Sequence, residues 1–516
     1  MAIYRYILCR SAGAGMIDGL ISTISPLSLL WTFVGTASGI LVGAMPGLGG
    51  GMLMALALPL TFSMAPIDAI LLLIGIHVGS VSGGLISATL LKMPGTPSSI
   101  MSTFDGHPMA VRGEPERALS LGIGSSLVGG LIAGVALVLL APPLSVLALK
   151  IGPWELACLI LMALVLVAAI SKGSMQKGLF SALLGVIAAL PGLAASDGQL
   201  RYTFGIHDMA TGFRLLPVLL GIFVISQLLV QTDKMLEVGS VIRLRRGAVF
   251  PKLTTWKAQL INIIRSSSIG TFVGILPGVG ASISSMVAYG VARASSRTPE
   301  KFGTGHDEGI VASEAANNAN VGGAMIPLIT LGIPGAPVDA LLLGAMIMHQ
   351  IQPGPLLFQT NGALVWAMIA GYFISNLMMF AIMVMSYRKI AKAIMIPVQY
   401  LVPVVFVLCV IGSYSVGNRL FDVWVMLGFG MLGYGLERAK VPLGPFVIGF
   451  VLAKPFEEEL RTALQLSDGS LFAIFDHPIA LTFVLLAALM LVMPILRSSA
   501  GHIFRNKVEK TKEFDR

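Results

Sequence analysis

Two stretches of this chain, Leu131–Leu149 and Leu156–Ile170, carry no charged side chain along their whole length. A helix needs roughly 17–25 apolar residues to cross the hydrocarbon core of a bilayer, and these runs approach or reach that length. No other feature limits the fold so strongly. Of the 516 residues, 55% are hydrophobic and only 11% charged, against roughly 25% charged in a soluble domain. The chain therefore reads as an all-α integral membrane protein, a polytopic helical bundle of about eleven to thirteen spans.

The 59 glycines suit helix packing in lipid, where small residues let backbones approach. Gly35, Gly39 and Gly43, spaced four apart, mark one packed helix face. The net charge of +9 does not gather on a single basic surface, which argues against a nucleic-acid partner. Lys and Arg fall instead in Lys234–Lys257, Arg388–Lys392 and Arg497–Lys512, segments that the positive-inside tendency assigns to the cytoplasm. Cys9, Cys158 and Cys409 are scattered without metal-ligand spacing. Residues 1–20 hold no apolar run ahead of a small-residue cleavage site, so the first span is expected to direct insertion itself.

Comparison of the chain with itself is more informative, because long-period repeats betray transporter architectures. Gly39–Met52 reads GILVGAMPGLGGGM and Gly270–Ile283 reads GTFVGILPGVGASI, with Pro46 and Pro277 lying 231 residues apart. GGLISATLLKMPGTP ends at Pro97 and GGAMIPLITLGIPGAP at Pro337, 240 residues apart and in the same order. A weaker echo pairs Gly185–Pro191 with Gly449–Pro455. Two complex matches in register point to internal duplication. The expected organisation is an interfacial segment over 1–20, a first membrane repeat over 21–232, a basic linker over 233–257, a second repeat over 258–497 and a basic tail over 498–516. Charges at Arg112, Glu114, Glu116 and Arg117 follow the first MPGTP motif, whereas His349–Thr360 after the second has none apart from His349. That asymmetry favours inverted over parallel repeats.

Within lipid, a helix broken by Pro-Gly is tolerated only where protein or a water-lined cavity satisfies the freed backbone groups. The predicted breaks lie at Pro46, Pro94, Pro277 and Pro334. Half-helix N-termini present unpaired N–H groups and a positive dipole end, which suit a carboxylate, and opposed carbonyls suit a cation. The candidate substrate-binding positions are Gly47, Gly49, Gly50, Gly95, Gly278, Gly280 and Gly335 at the breaks. Thr96, Ser98 and Ser99, just past the second break, can donate to an anion or cap the next helix.

Before the fourth break, SEAANNANVGG (Ser313–Gly323) sets Glu314, Asn317 and Asn318 on one helical face, with Asn320 flanking. Asn317 and Asn318 can donate to an anionic substrate, while Glu314, Asn317 and Asn320 offer oxygens to a cation. So many polar groups leading into an apolar run cost desolvation unless something binds there. The matching first-half segment, HVGSVSGGLIS, adds Ser80 and Ser82 as candidate ion-coupling oxygens. Lys92 beside the first MPG either neutralises a carboxylate or snorkels to the headgroups.

The combination of PGLGGGM, MPGTPSS with DGHPMAVRGEPERA (Asp105–Ala118), PGVGA, SEAANNA and LGIPGAP resembles the large membrane subunit of the tripartite tricarboxylate transporters, over residues 18 to 495. The resemblance implies a multi-pass permease of the bacterial inner membrane. Its partners would be a small membrane subunit and a periplasmic solute-binding protein. Its substrate would be citrate or another organic acid, driven by a sodium or proton gradient, with no cofactor; a homo-oligomer is left open. Two departures lie beside the site: Lys92, where the family often has Asn, and Val81–Ser82, where Tyr-Gly is common. An anion channel is the first rival reading. The second, a membrane-embedded enzyme, would want a Ser–His or paired-Asp constellation at membrane depth, and the sequence presents none at convincing spacing. Nor does it carry an HExxH pair or a G-x-x-x-x-G-K-[ST] loop.

Overall fold

A computed structural model of the chain describes residues 15–170, 174–194, 198–233, 253–393, 401–415 and 417–492. Most of the expected basic linker and all of the basic tail lie outside these residues. So do positions 1–14 of the N-terminal segment, whose remainder already belongs to a helix, α1 (Gly15–Ile24).

The predicted breaks decide where helices stop. Helix α2 (Pro26–Gly43) starts on Pro26 behind Ser25, whose hydroxyl accepts from the Ser28 amide. It ends before Pro46 and Gly47, whose φ of 86° only glycine adopts readily. Helix α3 (Gly50–Thr61) follows, then α4 (Pro66–Leu91), which closes on Lys92 in the left-handed conformation. Past Pro94, a 3₁₀ turn over Pro97–Ser99 leads into α5 (Ile100–Val111) and the long α6 (Pro115–Ala148). Helices α7 (Pro153–Ile170), α8 (Met175–Ala189) and α9 (Leu215–Thr232, with a π-helical turn at Leu220–Ile225) complete the first half. Between α8 and α9, Gly192–Leu193 pairs antiparallel with Leu200–Arg201.

The second half runs through the same sequence of events. Helix α10 (Leu253–Ile275) stops before Pro277 and Gly278 (φ 77°), and α11 (Gly280–Ser295) begins. Helix α12 (Asp307–Leu331) closes on left-handed Gly332, and beyond Pro334 the chain re-enters a helix as α13 (Pro337–Met348). Then come α14 (Gly362–Ala393), α15 (Leu401–Ser415), α16 (Leu420–Arg438), α17 (Leu443–Leu466) and α18 (Pro478–Val492).

Seven of these helices, α2, α4, α6, α7, α9, α14 and α16, are long and apolar enough to cross a membrane. That is fewer than the eleven to thirteen spans read from hydropathy, for two physical reasons. The breaks divide some spans into shorter pieces such as α3 and α13, and α10, α12 and α17 have spanning length but more polar sequences. Large apolar side chains on the outside, among them Leu139, Ile261, Phe272, Met385 and Trp424, are what a lipid-facing surface presents.

Helices α4 and α12 form the centre. The spanning stretch of α4 is wholly buried, as is α12 from Gly309 to Thr330. Glycine explains how α2 approaches α4: a methyl group at Gly35, Gly39 or Gly43 would collide with the carbonyl of Leu72, Ile76 or Ser80. Reciprocally, one at Gly75, Gly79 or Gly83 would meet the carbonyl of Thr32, Thr36 or Ile40. The approach recurs between α10 and α12, where Gly270, Gly274 and Gly323 lie against the carbonyls of Ala316, Asn320 and Thr271. Gly95 presses on the Gly43 carbonyl and Gly335 on that of Gly274. The echoed glycines face one another's helices, Gly185 of α8 against Phe446 O and Gly449 of α17 against Ala182 O.

Candidate functional site

The crossing of α4 and α12 brings the polar cluster of one half onto the serine segment of the other. Ser82 Oγ donates to Asn318 Oδ1 at 2.6 Å, and Asn317 Nδ2 donates to the Val81 carbonyl at 3.3 Å. Asn318 Nδ2 turns back to the Glu314 carbonyl, and the Asn318 carbonyl accepts from Tyr372 Oη of α14 at 3.2 Å. Glu314 is wholly buried, with Ser102 of α5 donating to Oε1 and Ser126 of α6 to Oε2 at 3.1 Å. Ser284 and Ser285 of α11 donate to the carbonyls of Ala316 and Ser313. Nearly every polar group of the cluster thus has a partner, as a dry interior requires. Asn317 Oδ1 is the exception, being buried without a hydrogen-bond partner among the described residues. Such an orphan acceptor costs about 1–3 kcal/mol, which a bound cation or donor would offset.

The expected site residues separate into groups. Glu314, Asn317, Asn318 and Ser82 come together at the crossing. Asn320 does not join them, since its Nδ2 points to the Gly270 carbonyl of α10. Ser80 returns its hydroxyl to the His77 carbonyl and lies under Gly50, where any side chain would strike Ser80 Oγ. Thr96, Ser98 and Ser99 act as caps: Ser99 Oγ accepts from the Thr96 amide and donates to its carbonyl, and the Thr96 and Ser98 hydroxyls are 3.0 Å apart. Lys92 is exposed at the end of α4.

The four breaks are neighbours. Gly278 N–H donates to the Gly335 carbonyl at 2.7 Å, tying the third break to the fourth. A Cβ on Gly51 would lie 3.5 Å from Val338, so the first turn of α3 faces the first turn of α13. Helix α11 packs against the Pro97–Ser99 turn and α5. Each half therefore sends the helix after its first break to the helix after the other half's second break. Gly95 and Gly335 are closed into packed contacts, and the Gly47 carbonyl accepts from Gln231 Nε2. Gly49 borders open space, and Gly280 and Ser282 are partly exposed. The starts of α3 and α11 thus carry partly exposed residues.

Sequence reasoning missed several participants. Ser102, Ser126 and Tyr372 belong to no motif that spacing reveals. Asp105, in the DGHPMAVRGEPERA segment, is wholly buried; its Oδ1 accepts from the amides of Gly303, Gly305 and His306 and its Oδ2 from Tyr289 Oη at 2.8 Å. Arg117 of the same segment reaches Asp307 at 2.7 Å. The segment therefore clamps the start of α12 to α5 and α6.

A polar crossing sealed inside an apolar helical bundle and bordered by four breaks defines the chain as a polytopic helical membrane protein. The tripartite tricarboxylate transporter TctA family model matches residues 29–448, and the chain belongs to that family. It is 33% identical over 491 residues, covering 94% of this chain and 97% of the relative, to an Agrobacterium vitis protein described as an uncharacterized 52.8 kDa protein in the TAR-I ttuC' 3' region. A second Agrobacterium vitis protein, from the TAR-II ttuC' 3' region, is 37% identical over 238 residues, which span 46% of this chain and 98% of that relative. No solved structure matches the chain.

Proposed function

We propose that this protein is the translocating subunit of an ion-gradient-driven carboxylate transporter of the bacterial inner membrane. A periplasmic solute-binding protein delivers a tricarboxylate or other organic acid, and a small membrane subunit completes the complex. The observation that carries this reading is the meeting of the four breaks beside the α4–α12 crossing, with partly exposed residues such as Gly49 and Gly280 at the starts of α3 and α11. Backbone N–H groups at those ends take the carboxylate, and the Glu314–Asn318 cluster with Ser82 responds to the driving sodium ion or proton. The twofold recurrence of close glycine contacts supports duplicated halves, and we read them as inverted, so that rocking one against the other exposes the site alternately.

The test is accumulation. Proteoliposomes containing the complete three-component system are offered a labelled panel of mono-, di- and tricarboxylates under an imposed sodium or proton gradient. Concentration of at least one carboxylate above the external level, abolished by collapsing the gradient, is expected. Equilibration without concentration would establish the anion-channel reading instead.

A further inference from the structure

Asp339 is the third residue of α13, directly after the fourth break, and is wholly buried. No side chain among the described residues donates a hydrogen bond to either carboxylate oxygen, and the Ala336 backbone amide, at the start of α13, is set toward the carboxylate. The ionisable group that does approach it comes from the other half: His77 Nδ1, in the middle of α4, lies 3.4 Å from Asp339 Oδ1. His77 is one turn of α4 from Val81, whose carbonyl holds Asn317. The pair therefore borders the α4–α12 crossing and bridges the helix before the second break and the helix after the fourth.

We propose that His77 and Asp339 form a proton-binding site that holds one proton while sealed from water and releases it when the start of α13 is opened. The proposal rests on the transport reading and names the residues through which a proton would be the coupling ion. With the proton on the Asp339 carboxyl and the ring neutral, neither group carries a charge. Without it, a carboxylate beside a neutral ring leaves one uncompensated charge in a dry interior, which is strongly disfavoured. The sealed arrangement thus requires the proton, and its loss to water as hydronium requires an open one. The positive end of the α13 dipole makes the carboxylate form accessible once water enters. Reprotonation by the reverse step allows the halves to close again, so proton binding is tied to the movement.

The surrounding charges are otherwise engaged or distant. Helix α13 packs on α3, α4, α9, α12 and α17. Over their described side chains α3 and α9 carry no titratable group. On α4, Asp68 is held by Ser28. On α12, Asp307 is held by Arg117, Glu308 is 4.0 Å from His306, and Glu314 is bound by Ser102 and Ser126. On α17, Lys454 and Glu458 are exposed, Glu459 is next to Glu458, and Glu457 binds Arg201 and Arg461. Around His77, α2 is uncharged, α5 holds Asp105 in its amide clamp and His107 on the Thr89 carbonyl, α6 carries Glu116 and Arg117, and α14 carries Tyr372 and, in its later turns, Tyr387, Arg388, Lys389 and Lys392. A ring nitrogen, which carries protons, is the side-chain group set against the carboxylate. A hard cation would want oxygens there.

Infrared difference spectra of the full-length protein in lipid vesicles, recorded across a pH titration, read the proton directly. Wild type is expected to show a carboxyl C=O stretching band that fades as pH rises, lost in Asp339→Asn and displaced in midpoint by about one pH unit or more in His77→Gln. The proposal is overturned if the band survives in Asp339→Asn, if the His77→Gln midpoint does not move, or if sodium replacing choline at fixed pH removes the band. Should Asp339→Asn not fold, the His77→Gln midpoint decides alone. The titration needs no transport, so a titrating Asp339 in vesicles that accumulate no carboxylate rejects the transport reading only. Accumulation without a titrating Asp339 rejects the proton site only.

Discussion

Asn317 and Asn318 do different work although they are adjacent. Asn318 closes a network through Ser82, Glu314 and Tyr372, whereas the Asn317 acceptor oxygen has no partner among the described residues. Asn317→Ala is therefore expected to abolish ion-dependent uptake at unchanged membrane yield, as read from initial rates and immunoblots. Asn318→Ala is expected to lose uptake too and, in addition, to lower the detergent melting temperature by removing hydrogen bonds of about 1 kcal/mol each. Equal uptake in wild type and Asn317→Ala would reject its assigned role. The amide cluster itself was legible, since four polar residues entering an apolar run have no cheap explanation. Ser82 was legible as a candidate oxygen, but Ser102 and Ser126 were not, because they are 212 and 188 residues from the Glu314 carboxylate they bind, and only the helix packing joins them. Likewise His77 stood out little in α4, and Asp339 closed a motif whose first-half counterpart ends in serine.

Breaks and glycine ridges are properties of elements, and these the sequence announced well, because proline and glycine change backbone conformation wherever they stand. Gly278 combines a φ of 77° with a position where a methyl would strike Val167. Gly278→Ala should lower thermal stability by about 1 kcal/mol or more, and Val167→Ala in the same chain should restore part of it; a purely additive double variant would deny the contact. Helix α12 was harder to place by hydropathy, since its polar side chains are satisfied by other helices and not by lipid. The charged half of α17, beyond Pro455 and outside the apolar spans, is tied back by a bidentate contact from Arg201 to Glu457, at 2.7 Å and 2.5 Å. Hydrogen bonds from Arg201 hold the Glu457 carboxyl below its usual range, against the opposing effect of partial burial and with added attraction from Arg201 and Arg461. A depressed acid stabilises the fold above its ordinary value, about 4.3, and that contribution disappears as pH falls through the lower folded value. Acidifying from pH 7 toward 3 should thus reduce the melting temperature of wild type more than that of Glu457→Gln, by scanning calorimetry or a dye-based melt.

At the scale of the molecule, the two halves exchange contacts: α3 of the first lies by α13 of the second, α11 of the second by the turn before α5 of the first. A shared pocket follows only if one solute touches both halves together, which is the claim on which the transport reading depends. Single cysteines at Gly49, where a side chain meets open space, and at Ser282, which is partly exposed, sample the two accessible break helices. With the native cysteines replaced, the rate at which a polar thiol reagent labels each position is measured against increasing concentrations of the transported carboxylate. The account predicts that the carboxylate slows labelling at Gly49→Cys and at Ser282→Cys with the same half-effective concentration. Protection at neither position, or at one half alone, would contradict it.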